Sequence, residues 1–148
     1  MVKDEKISAP TIVAVSGYFD PPTPGHLEYL YKAKELGNKL IVILNRDDQL
    51  LAKRKGTRLE GRIRYPFADR KAIISALKPA DEVAECIDRD TSVAETIKMI
   101  KPHIFAKGGD RNQRNIPERE IEACREVGCK IVCGVGEKTH SSSWYDWE

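Results

Sequence analysis

Short β-branched apolar runs alternate with amphipathic stretches along the whole chain. Thr11-Ile12-Val13-Ala14-Val15-Ser16 is apolar at consecutive positions, which is the pattern of a strand covered on both faces. The Pro- and Gly-rich stretch from Asp20 to Gly25 follows, and no helix can run through it. Beyond it Leu27, Leu30, Tyr31 and Lys34 recur at helical spacing until Gly37-Asn38 supply a stop. Leu40 to Leu44 is a second buried strand. A basic loop, Lys53-Arg54-Lys55-Gly56, then leads into a helix that ends near Leu77, ahead of Pro79. Asp81 to Ile87 predicts a shorter, edge-like strand. Thr91 is placed to cap a helix running through Ile100, with Val93, Ile97 and Ile100 facing inward. His103 to Ala106 predicts a fourth strand, Pro117 and Gly128 bracket another helix, and Lys130 to Cys133 predicts a fifth strand.

Strand followed by helix, five times over, implies an α/β protein with a five-stranded parallel sheet covered on both sides. Right-handed crossovers turn that order into a doubly wound, three-layer α/β/α sandwich of the Rossmann-like kind. The expected organisation is a flexible N-terminal segment, residues 1–10, followed by a single domain over residues 11–148. A length of 148 residues is enough for one core and not for two. Lys and Arg number 25 against 23 Asp and Glu, and a net charge of +2 argues against a dedicated nucleic-acid partner. No apolar run is long enough for a bilayer, and Met1 to Pro10 lacks the apolar core of a secretion signal. A cytoplasmic protein without a membrane partner is the expectation. Cys124, Cys129 and Cys133 lack the C-x2-C pairs of a zinc site, so these and Cys86 are expected to be reduced thiols.

Doubly wound sheets bind ligands beyond the carboxyl ends of their strands, so the loops that follow the strands carry the functional information. After the first strand comes Gly17-Tyr18-Phe19-Asp20-Pro21-Pro22-Thr23-Pro24-Gly25-His26. After the second come Asn45-Arg46-Asp47 and the stretch with Lys53 and Lys55. After the fourth comes Lys107-Gly108-Gly109-Asp110-Arg111, and after the fifth Gly136 to Ser143. All fall at one edge of the predicted sheet, and their chemistry is that of anion binding. A helix starting near His26 directs its N–H groups and positive dipole end at a ligand, and Gly25 allows close backbone approach. Thr23 and His26, three residues apart, can both donate to one phosphate. Lys55 beside Gly56 can close over a polyphosphate, and Ser141, Ser142 and Ser143 offer hydroxyls. No nucleophile–base pair stands out, and phosphoryl chemistry does not need one when alignment and charge neutralisation suffice.

The segment Gly17 to His26 resembles the signature loop of the nucleotidyltransferase superfamily, G-x-F-D-x-x-[HT]-x-G-H. The resemblance extends over Asn45, Asp47, Lys55-Gly56, Arg70, Lys107-Gly108-Gly109-Asp110 and Ser141-Ser142-Ser143, from about Ile12 to Trp144. The chain looks similar to small cytidylyltransferases of the glycerol-3-phosphate type and to the heptose-phosphate adenylyltransferase domain, more to the latter in its Lys-Gly-Gly-Asp loop. Thr23 departs from the His usual at that position in both, and there resembles the phosphopantetheine adenylyltransferases.

The resemblance implies an enzyme in which a phosphate oxygen of an acceptor attacks the α-phosphorus of CTP or ATP, releasing pyrophosphate with Mg2+ attached. His26 would stabilise the transferring phosphate with help from Thr23, and Lys55 would hold the β- and γ-phosphates. Gly17, Tyr18, Phe19 and Gly25 belong to the nucleotide loop, Lys107 to Asp110 would frame base and ribose, and Ser141 to Ser143 would bind phosphate. Asp47, Arg70 and Arg111 are the candidates near the acceptor, which could be a polyol phosphate, a sugar 1-phosphate, phosphoethanolamine or a phosphonate. A homodimer is expected from resemblance alone. Two alternatives stand beside the enzyme: a nucleotide-binding sensor or partner subunit without catalysis, with Thr23 as its marker, and a generic doubly wound regulatory domain. His103, beside Pro102, is read as a structural or surface residue and given no role, and Trp144 and Trp147 are expected to pack on the domain or on a partner subunit.

Overall fold

The computed structural model describes residues 10–109 and 115–136. Its elements run β1 (Ile12–Gly17), α1 (Pro24–Lys34), β2 (Lys39–Leu44), α2 (Asp47–Arg54), α3 (Phe67–Ser75), β3 (Glu82–Glu85), α4 (Ala94–Ile100), β4 (Ile104–Gly108), α5 (Glu118–Val127) and β5 (Lys130–Val135). The strands form one sheet in the order β3-β2-β1-β4-β5, every pair parallel. The predicted doubly wound sheet is therefore the fold, with β3 at one edge as expected. Two connections depart from the simple alternation. Both α2 and α3 lie between β2 and β3, and the basic Lys53-Arg54 pair ends α2 instead of lying in a loop.

Consecutive apolar residues make sense because each strand feeds two cores. Val13 and Val15 of β1, with Leu40, Val42 and Leu44 of β2, pack on Leu30 and Ala33 of α1 and Ile74 of α3. The intervening Ala14 and Ile43, with Phe105 of β4, pack on Val93, Ala94 and Ile97 and on Ala123 and Cys124 of α5. Side chains alternate faces along a strand, so an unbroken run fills both layers. In α1 the helical spacing holds only in part, because Leu30 is buried while Leu27 and Tyr31 are exposed. α4 also departs from expectation at its start. Thr91 makes no cap; the buried Asp88 carboxylate accepts from the backbone N–H groups of Glu95 and Thr96, at 2.7 and 3.0 Å. Pro117 and Gly128 do bracket α5, with Gly128 left-handed at φ 74°.

His103 is structural: its Nδ1 accepts from the Ile12 N–H at 2.9 Å. All four cysteines are free thiols. No described helix is long and apolar enough to cross a membrane. The expected N-terminal segment lies, apart from Pro10, outside the described residues.

Candidate active site

The winding direction reverses between β1 and β4, and α1 starts at that reversal. Tyr29 of α1 donates to the Ala106 carbonyl of β4 at 2.5 Å, fixing the helix over the gap. This is where doubly wound sheets hold their ligands. The chain reaches α1 through a loop held at both ends. Phe19 is buried and has a positive φ of 53°, an uncommon conformation for a side-chain-bearing residue and one that the packing around it must sustain. Its ring meets the His26 ring edge-on, with centroids 4.8 Å apart.

Helix α1 begins at Pro24, two residues before the expected start, and its cap is reciprocal. Thr23 Oγ1 accepts from the His26 N–H at 3.2 Å, and His26 Nδ1 accepts from the Thr23 N–H at 3.0 Å. A backbone N–H can only donate, so Nδ1 is an acceptor and the neutral ring carries its proton on Nε2. Thr23 Oγ1, by accepting, keeps its own hydrogen to donate. The Leu27 N–H goes to the Thr23 carbonyl and Pro24 has no N–H, which leaves Gly25 as the first-turn amide not committed to the cap. Of the described helices, α1 is the one with no acidic residue in its first turn; α2 has Asp47 and Asp48 there, α3 Asp69, α4 Glu95, and α5 Glu118 and Glu120. The positive end of the α1 dipole is thus not neutralised by its own side chains. Replacing Thr23 by Val is expected to lower stability by about 1 kcal/mol through loss of the cap, read from the midpoint of urea unfolding.

The end of α2 is drawn onto the same loop. Asp20, 1% exposed, accepts from Arg54 Nη1 at 2.9 Å, from the Arg64 N–H at 2.7 Å and from the Tyr65 N–H at 2.6 Å. Arg54 Nη2 also reaches the Asp20 carbonyl at 3.0 Å, and Arg54 Nη1 the Arg62 carbonyl at 2.8 Å. Lys53 Nζ lies 5.9 Å from the centre of the Tyr18 ring. Lys55 follows as the exposed C-cap of α2, so the residue expected to hold a polyphosphate is tethered beside the signature loop. Arg54 is therefore no part of a solvated basic face.

Arg70 differs from its expected place near an acceptor. It is 0% exposed, and it donates to the carbonyls of Tyr65, Tyr18 and Asn45 and to Asp47 Oδ1 at 2.9, 2.8, 2.9 and 2.6 Å. With every contact internal, it holds the loops after β1 and β2 together and presents no edge to a ligand. Asp47 is half-buried, and its Oδ2 accepts from the Phe67 N–H at 3.3 Å. Gln49, also buried, ties the loop after β2 to that after β3 by donating to the Asp90 carbonyl at 2.8 Å while accepting from the Arg46 N–H at 2.8 Å. Beside it, the hydrogen bond from Arg46 holds the Asp48 carboxyl below its ordinary pKa.

Lys107 is buried at the end of β4, its Nζ 3.4 Å from Glu120 Oε1 and 4.6 Å from the centre of the Phe105 ring. The Lys107 ammonium is thereby turned toward α5, and among the described residues of the loop Gly108 is half-buried and Gly109 exposed. A Cβ on Gly17 would come 2.9 Å from the Phe19 ring, so that glycine admits the ring of its own loop. Asp110, Arg111, Ser141, Ser142, Ser143, Trp144 and Trp147 lie outside the described residues.

Asp20 and Arg54 are the residues that the sequence reading missed. A helical reading of Gln49, Leu50 and Arg54, the buried positions of α2, would have marked Arg54 as inward-facing.

The family model described as Cytidylyltransferase-like matches residues 14–148. The Bifunctional protein HldE of Methylococcus capsulatus is 42% identical over 99 residues, which are 67% of this chain and 20% of that protein. The FAD synthase of Methanothermus fervidus is 34% identical over 123 residues, 79% of this chain and 77% of the synthase. Among solved structures, the lipopolysaccharide core biosynthesis protein from Thermoplasma volcanium GSS1 is similar with a TM-score of 0.69 at 28% identity, over 86% of this chain and 98% of that one. The match spans 20% to 24% of the length of the first two HldE relatives.

Proposed function

This chain belongs to the cytidylyltransferase-like family, and we propose that it transfers the nucleotidyl group of ATP or CTP to a small phosphorylated acceptor, releasing pyrophosphate. The observation that carries the reading is the start of α1. A reciprocal Thr23–His26 cap holds His26 in the tautomer that carries its proton on Nε2, at a helix end with no first-turn carboxylate. An anion there meets a hydroxyl, an imidazole N–H and a helix dipole in one place.

The chemistry asked of the protein is modest. An acceptor phosphate oxygen bonds to the α-phosphorus as the bond to the pyrophosphate oxygen breaks, and no covalent enzyme intermediate is needed. His26 donates to the α-phosphate as charge shifts onto its oxygens, and Thr23 donates beside it. Lys55 pairs with the β- and γ-phosphates as pyrophosphate departs. Mg2+ arrives with the triphosphate as part of the substrate. Among the described residues no group of three or more His, Cys, Asp or Glu is placed to hold it. A sugar phosphate is the acceptor class that fits the HldE relatives, and the FAD synthase relative points to ATP as the donor. Asp110, Arg111 and Ser141 to Ser143 complete the proposed nucleotide and acceptor contacts, and the active unit is proposed to be a homodimer in the cytoplasm.

The direct test is pyrophosphate release with Mg2+ and each of ATP and CTP, against a panel of sugar, polyol and flavin phosphates. Release that requires one acceptor supports the reading; nucleotide binding without release from any pair overturns it in favour of a sensor. Thr23→Val separates the same readings residue by residue. Loss of one donor to a desolvated phosphate is expected to slow turnover by about ten- to a hundredfold, with Thr23→Ser close to the parent. Lys55→Ala is expected to raise the KM for the triphosphate several-fold more than it lowers kcat, because the ammonium acts as a point charge on the leaving phosphates. Unchanged kinetics would make Lys55 an ordinary surface residue.

A further inference from the structure

Two of the four cysteines are brought together by the way α5 ends. Gly128 takes the left-handed conformation, its N–H returns to the Arg125 carbonyl at 3.4 Å, and the Cys129 N–H returns to the Cys124 carbonyl at 2.8 Å. This paired 6→1 and 5→2 closure places the residue after the glycine against the residue three positions before the helix end, a contact that ordinarily holds two apolar side chains. Here both positions are cysteine, and both side chains lie in the α4–α5 core. The interaction between the two thiols lowers the pKa of Cys124 and raises that of Cys129. The Cys129 thiol donates to the Lys130 carbonyl at 3.8 Å. Glu120, one turn before Cys124, holds Lys107 at the root of the Gly108-Gly109 loop and accepts from the Val93 N–H at 3.0 Å.

We propose that Cys124 and Cys129 are an oxidation site, a dithiol that a hydroperoxide closes to a disulfide across the α5 terminus. The Cys124 sulfur attacks the distal peroxide oxygen, breaking the O–O bond and releasing the alcohol, or water from hydrogen peroxide, with the thiol proton. The Cys129 sulfur then attacks the resulting sulfenic sulfur, and its proton leaves with the hydroxyl as water. Two thiols and one hydroperoxide give one disulfide, one alcohol and one water, so the peroxide is reduced as the thiols are oxidised. The backbone closure sets these two positions against each other, so the second step joins residues that the helix end has brought together. Cys86 has no such neighbour: its sulfur sits among Gln49, Asp88, Ser92 and Thr96.

The test uses the intact native protein, treated with hydrogen peroxide, then unfolded, alkylated and digested with trypsin. Cleavage after Arg125 falls between the two cysteines, so a disulfide joins the peptides Glu120–Arg125 and Glu126–Lys130. The expected result is that joined pair, two hydrogens lighter than the free peptides together, split again by dithiothreitol. It should form equally in Cys133→Ser and be absent from Cys129→Ser. Joined peptides that run instead through Cys133 or Cys86 would overturn the proposal. So would Cys124 and Cys129 remaining fully alkylatable under conditions that oxidise Cys133.

Discussion

His26→Ala should lower kcat by about 100-fold or more while leaving a folded protein, because the group removed acts on charge that grows only in the transition state. Two features of the structure make the expectation specific. The Thr23 N–H fixes the ring through Nδ1, and the Phe19 ring packs against it edge-on, so Nε2 is carried by a side chain with little freedom to turn. The same substitution removes half of the reciprocal cap, but Thr23 Oγ1 can still accept from the backbone at position 26. The stability change should therefore be small, on the order of 1 kcal/mol or less. Pyrophosphate release measured beside thermal unfolding separates the two effects. A near-parental kcat would remove His26 from the chemistry.

Asp20→Ala should be the most damaging single change to stability, by about 3–5 kcal/mol. The carboxylate takes three N–H donors at 2.6–2.9 Å and is paired to an Arg54 side chain that is itself only 9% exposed. Truncation takes the Asp20 carboxylate away from a buried guanidinium and from two backbone N–H groups. Asp20→Asn tests the same contact more gently: the side chain keeps its size, but its NH2 group must face donors where an oxygen now accepts. Urea unfolding should order the three proteins parent, Asn, Ala. An Ala variant within 1 kcal/mol of the parent would show that the Asp20–Arg54 contact does not hold the loop.

The Asp20–Arg54 pair also shows where sequence reading stops. β1 and β2 were legible because a sheet covered on both sides needs unbroken apolar runs, and few other structures do. Thr23 and His26 were legible as a pair because three residues is one helical turn. Asp20 and Arg54 are 34 positions apart, and only the folded chain brings them together. α2 was hidden because two of its three inward positions are Gln49 and Arg54, which read as solvent-facing until their partners are known. Arg70 is legible as a candidate near the acceptor, but its bonds to three backbone carbonyls and Asp47 are not. Nothing in its position tells a phosphate ligand from a set of backbone carbonyls. Asp88 took the capping place read into Thr91 by reaching over from the β3 side, a contact that local pattern does not show.

The sheet ends at β3, a strand of four residues, Glu82-Val83-Ala84-Glu85, with an exposed glutamate at each end. A second copy offering its own β3 would set carboxylates against carboxylates along a very short ladder, which disfavours strand-to-strand growth at this boundary. Self-association through that side of the molecule is therefore expected to be made by side chains and not by a continuous sheet.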